Sequence, residues 1–538
     1  MKTPCLLSAL LLLLTPAMTT TAAPGWQLEQ LVPGALFKGI HGLAFGPDAM
    51  IYAGSVMGQS IYRVDPANGA TEVFVPPPIG QADDIEFAPD GTMYWTGFIH
   101  GTLNVQSPGG KPRIIASGLP GLNSLALNAA GRLFATQVFT GDALWEFDPA
   151  GIIEPRLIMR DVGGLNGFDF APDGRLCGPL WFRKQVVCID VDSAALEVVN
   201  DEFNTPAAAN FNSRGELFVI DNETGGIYRV DMQSHRRELL ATAPSNLDNL
   251  AFDRDDRLFV SNMSDNAIYA LEGSSLRTVT GSPLSLPGGI AIAGNELIVA
   301  DTFSLSAVDL ATGAVRDISR LLSDNGFPTT VAVSTAAKRI ATASFESGAV
   351  QLWDLDTEKV IAHWSGLALP SAIAVIDADH LAVTEIGAGG RLLILDRRQP
   401  EQRVVLAQEL AQPMGLLRAG ESFIISEAAA GRVVAIDREG ARRVIVSGLN
   451  HPEGLALLAD GRLAVAESGA ARMVLVDPQS GSLEVAASAL PLGMVDIPEY
   501  PPGIFPTGVA TDASGAIYFS SDRDGGILRL RAASGQTP

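Results

Sequence analysis

Ile85-Glu86-Phe87-Ala88-Pro89-Asp90-Gly91-Thr92-Met93-Tyr94-Trp95 reads as an apolar run, a Pro-Asp-Gly turn and a second apolar run. The same phrase stands upstream at Leu43-Ala44-Phe45-Gly46-Pro47-Asp48 and downstream at Leu250-Ala251-Phe252-Asp253-Arg254-Asp255. Working outward, twelve copies begin at Leu43, Ile85, Leu125, Phe168, Ala209, Leu250, Ile290, Val331, Ile373, Leu416, Leu455 and Val509. Each adds a third apolar run, and most a fourth, such as Thr71-Glu72-Val73-Phe74-Val75. Short alternating strands repeating roughly every 40 residues are the mark of β-propeller blades. One blade cannot bury both of its faces, so the blades must close into a ring.

Twelve blades in one ring would leave a channel too wide for side chains to fill. The expected fold is therefore all-β: two tandem six-bladed β-propellers, each closed by an N-terminal strand. The last copy ends at Gly526-Ile527-Leu528-Arg529-Leu530 without a fourth strand. Because open edges must be paired or covered, Trp26–Leu31 is expected to close the first ring and Ser275–Thr280 the second. The domains then fall at 1–23 (signal peptide), 24–273 and 274–538. The longest insertion between blades, the proline-rich Ala487–Thr507, is expected as an ordered loop over the second ring.

Residues 1–23 carry the marks of a secretory signal. Lys2 supplies the charge, Leu6 to Leu14 an apolar stretch too short to span a bilayer, and Thr21-Ala22-Ala23 a small-residue cleavage site. A secreted or periplasmic protein without membrane insertion is expected. The net charge of −23 argues against nucleic acid as a partner. Cys177 and Cys188 fall on neighbouring strands of one blade, one residue out of direct register in the alignment. Both a cross-strand disulfide and two buried thiols fit that spacing.

The residue two places before each inner-strand start points to the upper rim of the channel. In the first ring these are His41, Asp83, Asn123, Asn166, Ala207 and Asp248; in the second, Gly288, Thr329, Ser371, Met414, Glu453 and Thr507. Two carboxylates, two carboxamides and an imidazole on one rim make a hard-oxygen set suited to Ca²⁺, which takes six to eight oxygen ligands. Asp83, Asn123, Asn166 and Asp248, with the adjacent Asn249, are the candidate metal ligands. Hydrogen bonding between strand ends is the alternative for each one singly. Loops on the same face carry Trp95, Phe98, Phe139, Trp181, Phe182 and Arg183, an apolar wall for a small-molecule substrate. His41 and His100 are the candidate bases, and Asp83 a base or nucleophile if it does not bind metal.

Several repeated acids need no function. Asp90, Asp173 and Asp255 sit in hairpin turns, and Asp221, Asp301, Glu385, Glu427 and Glu467 recur at second-strand ends as loop braces. Asn222-Glu223-Thr224 and Asn262-Met263-Ser264 match the glycosylation pattern.

The segments Leu122-Asn123-Ser124-Leu125, Leu165-Asn166-Gly167-Phe168 and Leu247-Asp248-Asn249-Leu250 resemble strand starts of the senescence-marker-protein/gluconolactonase family, the paraoxonases and diisopropyl fluorophosphatase. Ala82-Asp83-Asp84-Ile85-Glu86 and Ile40-His41-Gly42-Leu43 resemble the paraoxonase segments carrying an acidic ligand and the active-site His. The resemblance covers residues 26–273. It implies a six-bladed propeller with one catalytic calcium held by a Glu, two Asn and an Asp. This chain departs twice: Asp248 comes one blade later than the family's Asp, and His41 precedes Asp83 rather than following it. The function implied is metal-dependent hydrolysis of a lactone or ester-like small molecule in the first ring. Two alternatives stand beside it. One is a non-catalytic scaffold binding a protein, peptide or glycan, with the second propeller open to a protein partner. The other is a strictosidine-synthase-like lyase or synthase, for which the first rim lacks the Glu.

Overall fold

A computed structural model describes residues 20–323 and 332–533. The rim position Thr329, the repeat start Val331 and residues 1–19 of the expected signal lie outside the described residues. Among those described, every regular element is a strand except two single 3₁₀ turns, Ala428–Ala430 and Ser468–Ala470. The strands form twelve antiparallel sheets, eleven of four strands and one of five.

Inner strands abut one another in chain order, and their contacts run in two cycles. Leu43–Phe45 lies against both Ala82–Phe87 and Leu247–Phe252, and Pro287–Ala293 against both the strand at Ala332–Ala336 and Val509–Thr511. The inner-strand contacts thus divide the twelve sheets into two groups of six. Apolar side chains alternate along each strand and pack between neighbouring sheets. Ala126, Phe134 and Leu144 meet Phe168, Leu176 and Val187 in one such layer, for example.

The closing strands differ from expectation. Trp26–Val32 pairs with Ile527–Ala532, in the last sheet of the second ring, where Glu29 forms ion pairs with Arg529 and Arg531. Ser275–Thr280 pairs with Ala267–Glu272 and is the ordinary outer strand of the first ring's sixth sheet. The physical reason is edge supply: only the final repeat lacks a fourth strand, so only it has an edge to fill. The first ring therefore spans Leu43 to Thr280 rather than 24–273. Topologically it is an insertion within the second ring, whose chain begins with Trp26–Val32. Thr21–Ala22, part of the expected cleavage site, adds an edge strand beside Leu483–Ser488.

The crossing segment carries Lys38, 3% exposed, its ammonium bonded to the Ala35 carbonyl. Burial pushes its pKa down to about 8 against the opposing pull of Asp524, Asp522 and Asp301. Cys177 and Cys188 are direct cross-strand partners, not one residue apart, and are joined as a disulfide. The expected braces are present. Asp301 accepts from Ser285 and Leu286 N–H, Glu427 from Ala411 N–H and Arg432, and Glu467 from Asn450 N–H and Arg472. Asn222 and Asn262 are sealed, with their amide groups bonded to backbone carbonyls, so neither sequon offers an acceptor in the folded chain. Among the described residues no helix is long and apolar enough to cross a membrane.

The rings meet through the faces that carry their rims. Met57 and Met263 of the first pack with Phe303, Phe345, Ile497, Ile504 and Phe505 of the second. The insertion does not merely overlie the second ring. It reaches across, with the Val495 carbonyl accepting from Gln59 at 2.8 Å and Glu499 meeting His100 at 2.7 Å.

Candidate functional site

The rim is made by irregular strand starts. Pairing of the inner strand with its neighbour slips between Ala82 and Ile85, between Leu122 and Leu125, and between Leu247 and Leu250. A bulge leaves residues unpaired and re-aims their side chains. The slipped residues are the predicted ones: Asp83 with Asp84, Asn123 with Ser124, and Asp248 with Asn249. Gly42 presses against the Asp83 backbone, where an added Cβ would lie 2.5 Å from the Asp83 carbonyl.

Two pairs of predicted ligands come together. Ser124 Oγ bonds both Asn123 Oδ1 (2.9 Å) and Asn166 Oδ1 (3.3 Å), linking the carboxamides of consecutive blades. Among the described residues Asp83 has no donor at its side chain. Its carboxyl is held well above the ordinary range, first by burial and then by the charges of Asp248 and Asp84. Asp248, half-buried, likewise has no donor among them, and desolvation together with Asp84 pushes it up to about 7. Unpaired carboxylates in a low-dielectric channel are costly. They are the kind of group a cation would satisfy.

Asn249 is a correction. Its Nδ2 donates to Asp84 at 2.9 Å and its Oδ1 accepts from Leu250 N–H at 2.7 Å, so it braces two strands instead of facing the rim. Among the described residues no three His, Cys, Asp or Glu side chains gather in a way that could hold a metal. Any cation here would depend on carboxamides, backbone carbonyls and water to complete its shell.

His41 is buried, stacked edge-on to Phe303 of the second ring at 5.9 Å. Burial pushes its pKa down to about 4, offset in part by the bond to Gly39 O. Since a carbonyl only accepts, Nδ1 carries the proton (3.2 Å) and Nε2 keeps the lone pair. The imidazole is thus neutral across the physiological range, with Nε2 unprotonated. His100 Nδ1 meets Glu499 Oε1 of the insertion at 2.7 Å, a partner from the second half of the chain.

The wall residues divide. Trp95 is a correction: fully buried, its indole bonded to Ile79 O, it is core between blades rather than pocket lining. Arg183 is exposed and bonded to the Asp161 carbonyl. Phe98, Phe139, Trp181 and Phe182 do gather. Phe139 contacts the other three with ring centroids 6.2, 5.6 and 5.7 Å away.

A second polar layer escaped the sequence reading. Further along the same inner strands, Asp84, Glu86, Asp169, Asn210 and Asn249 line a cavity of about 220 Å³. Asp84 accepts from Leu125 N–H and Asp169 from Phe211 N–H, each on the following blade, while Asn210 donates to Leu250 O. Burial pushes Asp84 up to about 7 and raises Glu86 and Asp169. The alternation of Asp84, Ile85 and Glu86 was the available signal: residues two apart share the channel face. In the second ring Glu453 is sealed by Ser468 Oγ and Thr507 N–H, and the channel cavity is only about 60 Å³.

No protein-family model and no curated protein matches this chain. Solved structures do. One provisionally described as a gluconolactonase is 16% identical, covering 49% of this chain and all of its own length, with a TM-score of 0.39. A gluconolactonase from Xanthomonas campestris is 13% identical over 46% of this chain and 96% of its own, TM-score 0.37. Virginiamycin B lyase from Staphylococcus aureus is 13% identical over 59% and 96%, TM-score 0.27. At this level of similarity the fold of the chain rests on its own strand pairing.

Proposed function

We propose that the first ring is a metal-dependent hydrolase of a lactone or ester-like small molecule, and that the chain is exported. The observation that carries the proposal is the pair Asp83 and Asp248: one buried and one half-buried at equivalent strand starts, without donors among the described residues, and both raised by desolvation and neighbouring charge. Asp83, Asn123, Asn166 and Asp248 supply four side-chain oxygens of the hard type Ca²⁺ prefers, with water and strand-end carbonyls left to complete the shell. Bound there, a divalent cation would polarise a carbonyl oxygen and stabilise the anion that forms on attack.

The chain's own residues do the rest. His41 Nε2, fixed as the acceptor by the bond at Nδ1, takes a proton from water. Its depressed pKa keeps that nitrogen free well below neutrality, at the cost of a weaker pull on the proton. Ser124 holds the two carboxamide oxygens toward the same side. Packing of Phe303 over His41 excludes bulk water from the base. The Cys177–Cys188 disulfide supports export, since such bonds persist in oxidising compartments.

The test is metal content and turnover together. Purified protein should hold about one Ca²⁺ per chain and hydrolyse a member of a lactone and aryl-ester panel. Asn166→Ala should lose both properties, and the exposed Glu421→Ala should lose neither. Full metal content in Asn166→Ala would remove the rim assignment. Metal without any turnover would leave the scaffold reading in its place.

A further inference from the structure

The second ring's contacts fall on one side of the first ring's mouth, on loops carrying Met57, Gln59, Ile99, His100 and Met263. The opposite side, over the blades that hold Asn123 and Asn166, is where the aromatic cluster stands. Its attachment to the rim is direct. Phe98 O accepts from Gly121 N–H, whose own carbonyl accepts from Val138 N–H, two residues ahead of Asn123. Trp181 and Phe182 N–H donate to Gly164 and Gly163, just ahead of Asn166.

The cluster is constructed, not incidental. Gly163 and Gly164 have φ of 106° and 76°, and a Cβ on either would collide with the side chain of Arg183 or Phe182. Their N–H groups are held by the Asp142 carboxylate at 2.9 to 3.1 Å. Phe139, the hub, sits at φ 67°, a left-handed conformation unfavourable for a bulky residue. It nevertheless leaves 51% of its surface in solvent, as Phe182 leaves 53%. Exposed rings held in a strained, braced arrangement beside a polar mouth have the character of a binding surface. Across all four rings the only polar group is the Trp181 indole N–H, so the surface has almost nothing to offer hydroxyl groups.

We propose that Phe98, Phe139, Trp181 and Phe182 form an aromatic shelf that receives the apolar arm of the substrate. The site then selects alkyl- or aryl-bearing lactones and esters over hydrophilic sugar lactones. The identity of the reacting end rests on the hydrolase reading above; the shelf itself does not.

Binding therefore tests it separately from turnover. Calorimetric titration of the chelator-treated protein compares γ-decalactone, which carries a hexyl arm, with γ-butyrolactone, which carries none. Contact of a few methylenes with one face of the shelf should favour γ-decalactone by about tenfold or more. Phe182→Ser should shrink that ratio to about threefold or less, and so should Phe139→Gly. Glycine is at ease at φ 67°, so Phe139→Gly should also melt no lower than the wild type, which separates lost binding from lost folding. Equal affinities in the wild type, no measurable binding of γ-decalactone, or a ratio untouched by both variants would each overturn the shelf. Failure of all lactone turnover with the ratio intact would overturn only the hydrolase reading.

Discussion

Asp248→Asn should make the metal-free protein more stable, and calcium should reverse the order. In the folded chain Asp248 binds its proton with a pKa of about 7, against 3.8 for the free group. Between those values the folded state holds more protons than the unfolded one, so stability falls as pH rises from about 4 to about 7 and stays low above it. At about 1.4 kcal/mol per unit, the ionised carboxylate costs up to about 4 kcal/mol at pH 8. Asparagine has the same shape and no charge, and it also relieves Asp83, whose carboxyl is raised partly by Asp248. For a ring of this size the variant should melt about 5 to 10 °C higher in chelator at pH 8, with the gain fading toward pH 4. Saturating Ca²⁺ should raise the wild type by about 3 kcal/mol at one hundred times its dissociation constant, and the variant by much less. Scanning fluorimetry from pH 4 to 8, with chelator or Ca²⁺, reads all four arms. The reasoning fails if the variant melts lower in chelator at pH 8, or if calcium leaves both proteins unmoved.

Two further outcomes bear on the fold. Cys177→Ser with Cys188→Ser should destabilise the first ring by about 2 to 3 kcal/mol, as expected for a short closed loop, and wild type unfolded in reductant should match it. Removing residues 24–32 should expose the second ring to proteolysis while leaving a resistant fragment over 43–280, because that segment completes the last sheet and none of the first six; rapid digestion of the first ring instead would contradict the pairing.

Much of the site was legible because the repeat fixes the register. Once Leu43, Ile85, Leu125 and Leu250 were aligned, Asp83, Asn123 and Asp248 had to occupy equivalent strand starts, and the strand pairing slips at each of those places. Asn249 and Trp95 take partners that a single repeat does not specify. Asp84 supplies Asn249's partner from four blades earlier in the chain, and Ile79 O takes the Trp95 indole. Likewise, His100 looks free until Glu499, four hundred residues away in the chain, is brought to it.

The sequence by itself determined the all-β class and the twelve-fold repeat of strand sheets. These follow from periodicity, which is a property of short stretches. Tertiary structure decided which edge Trp26–Val32 would fill, that the first ring is nested within the second, and that the proline-rich insertion spans both. Those outcomes depend on pairing between segments hundreds of residues apart, where several edges compete for one strand. Only in the folded chain does one of them stand open.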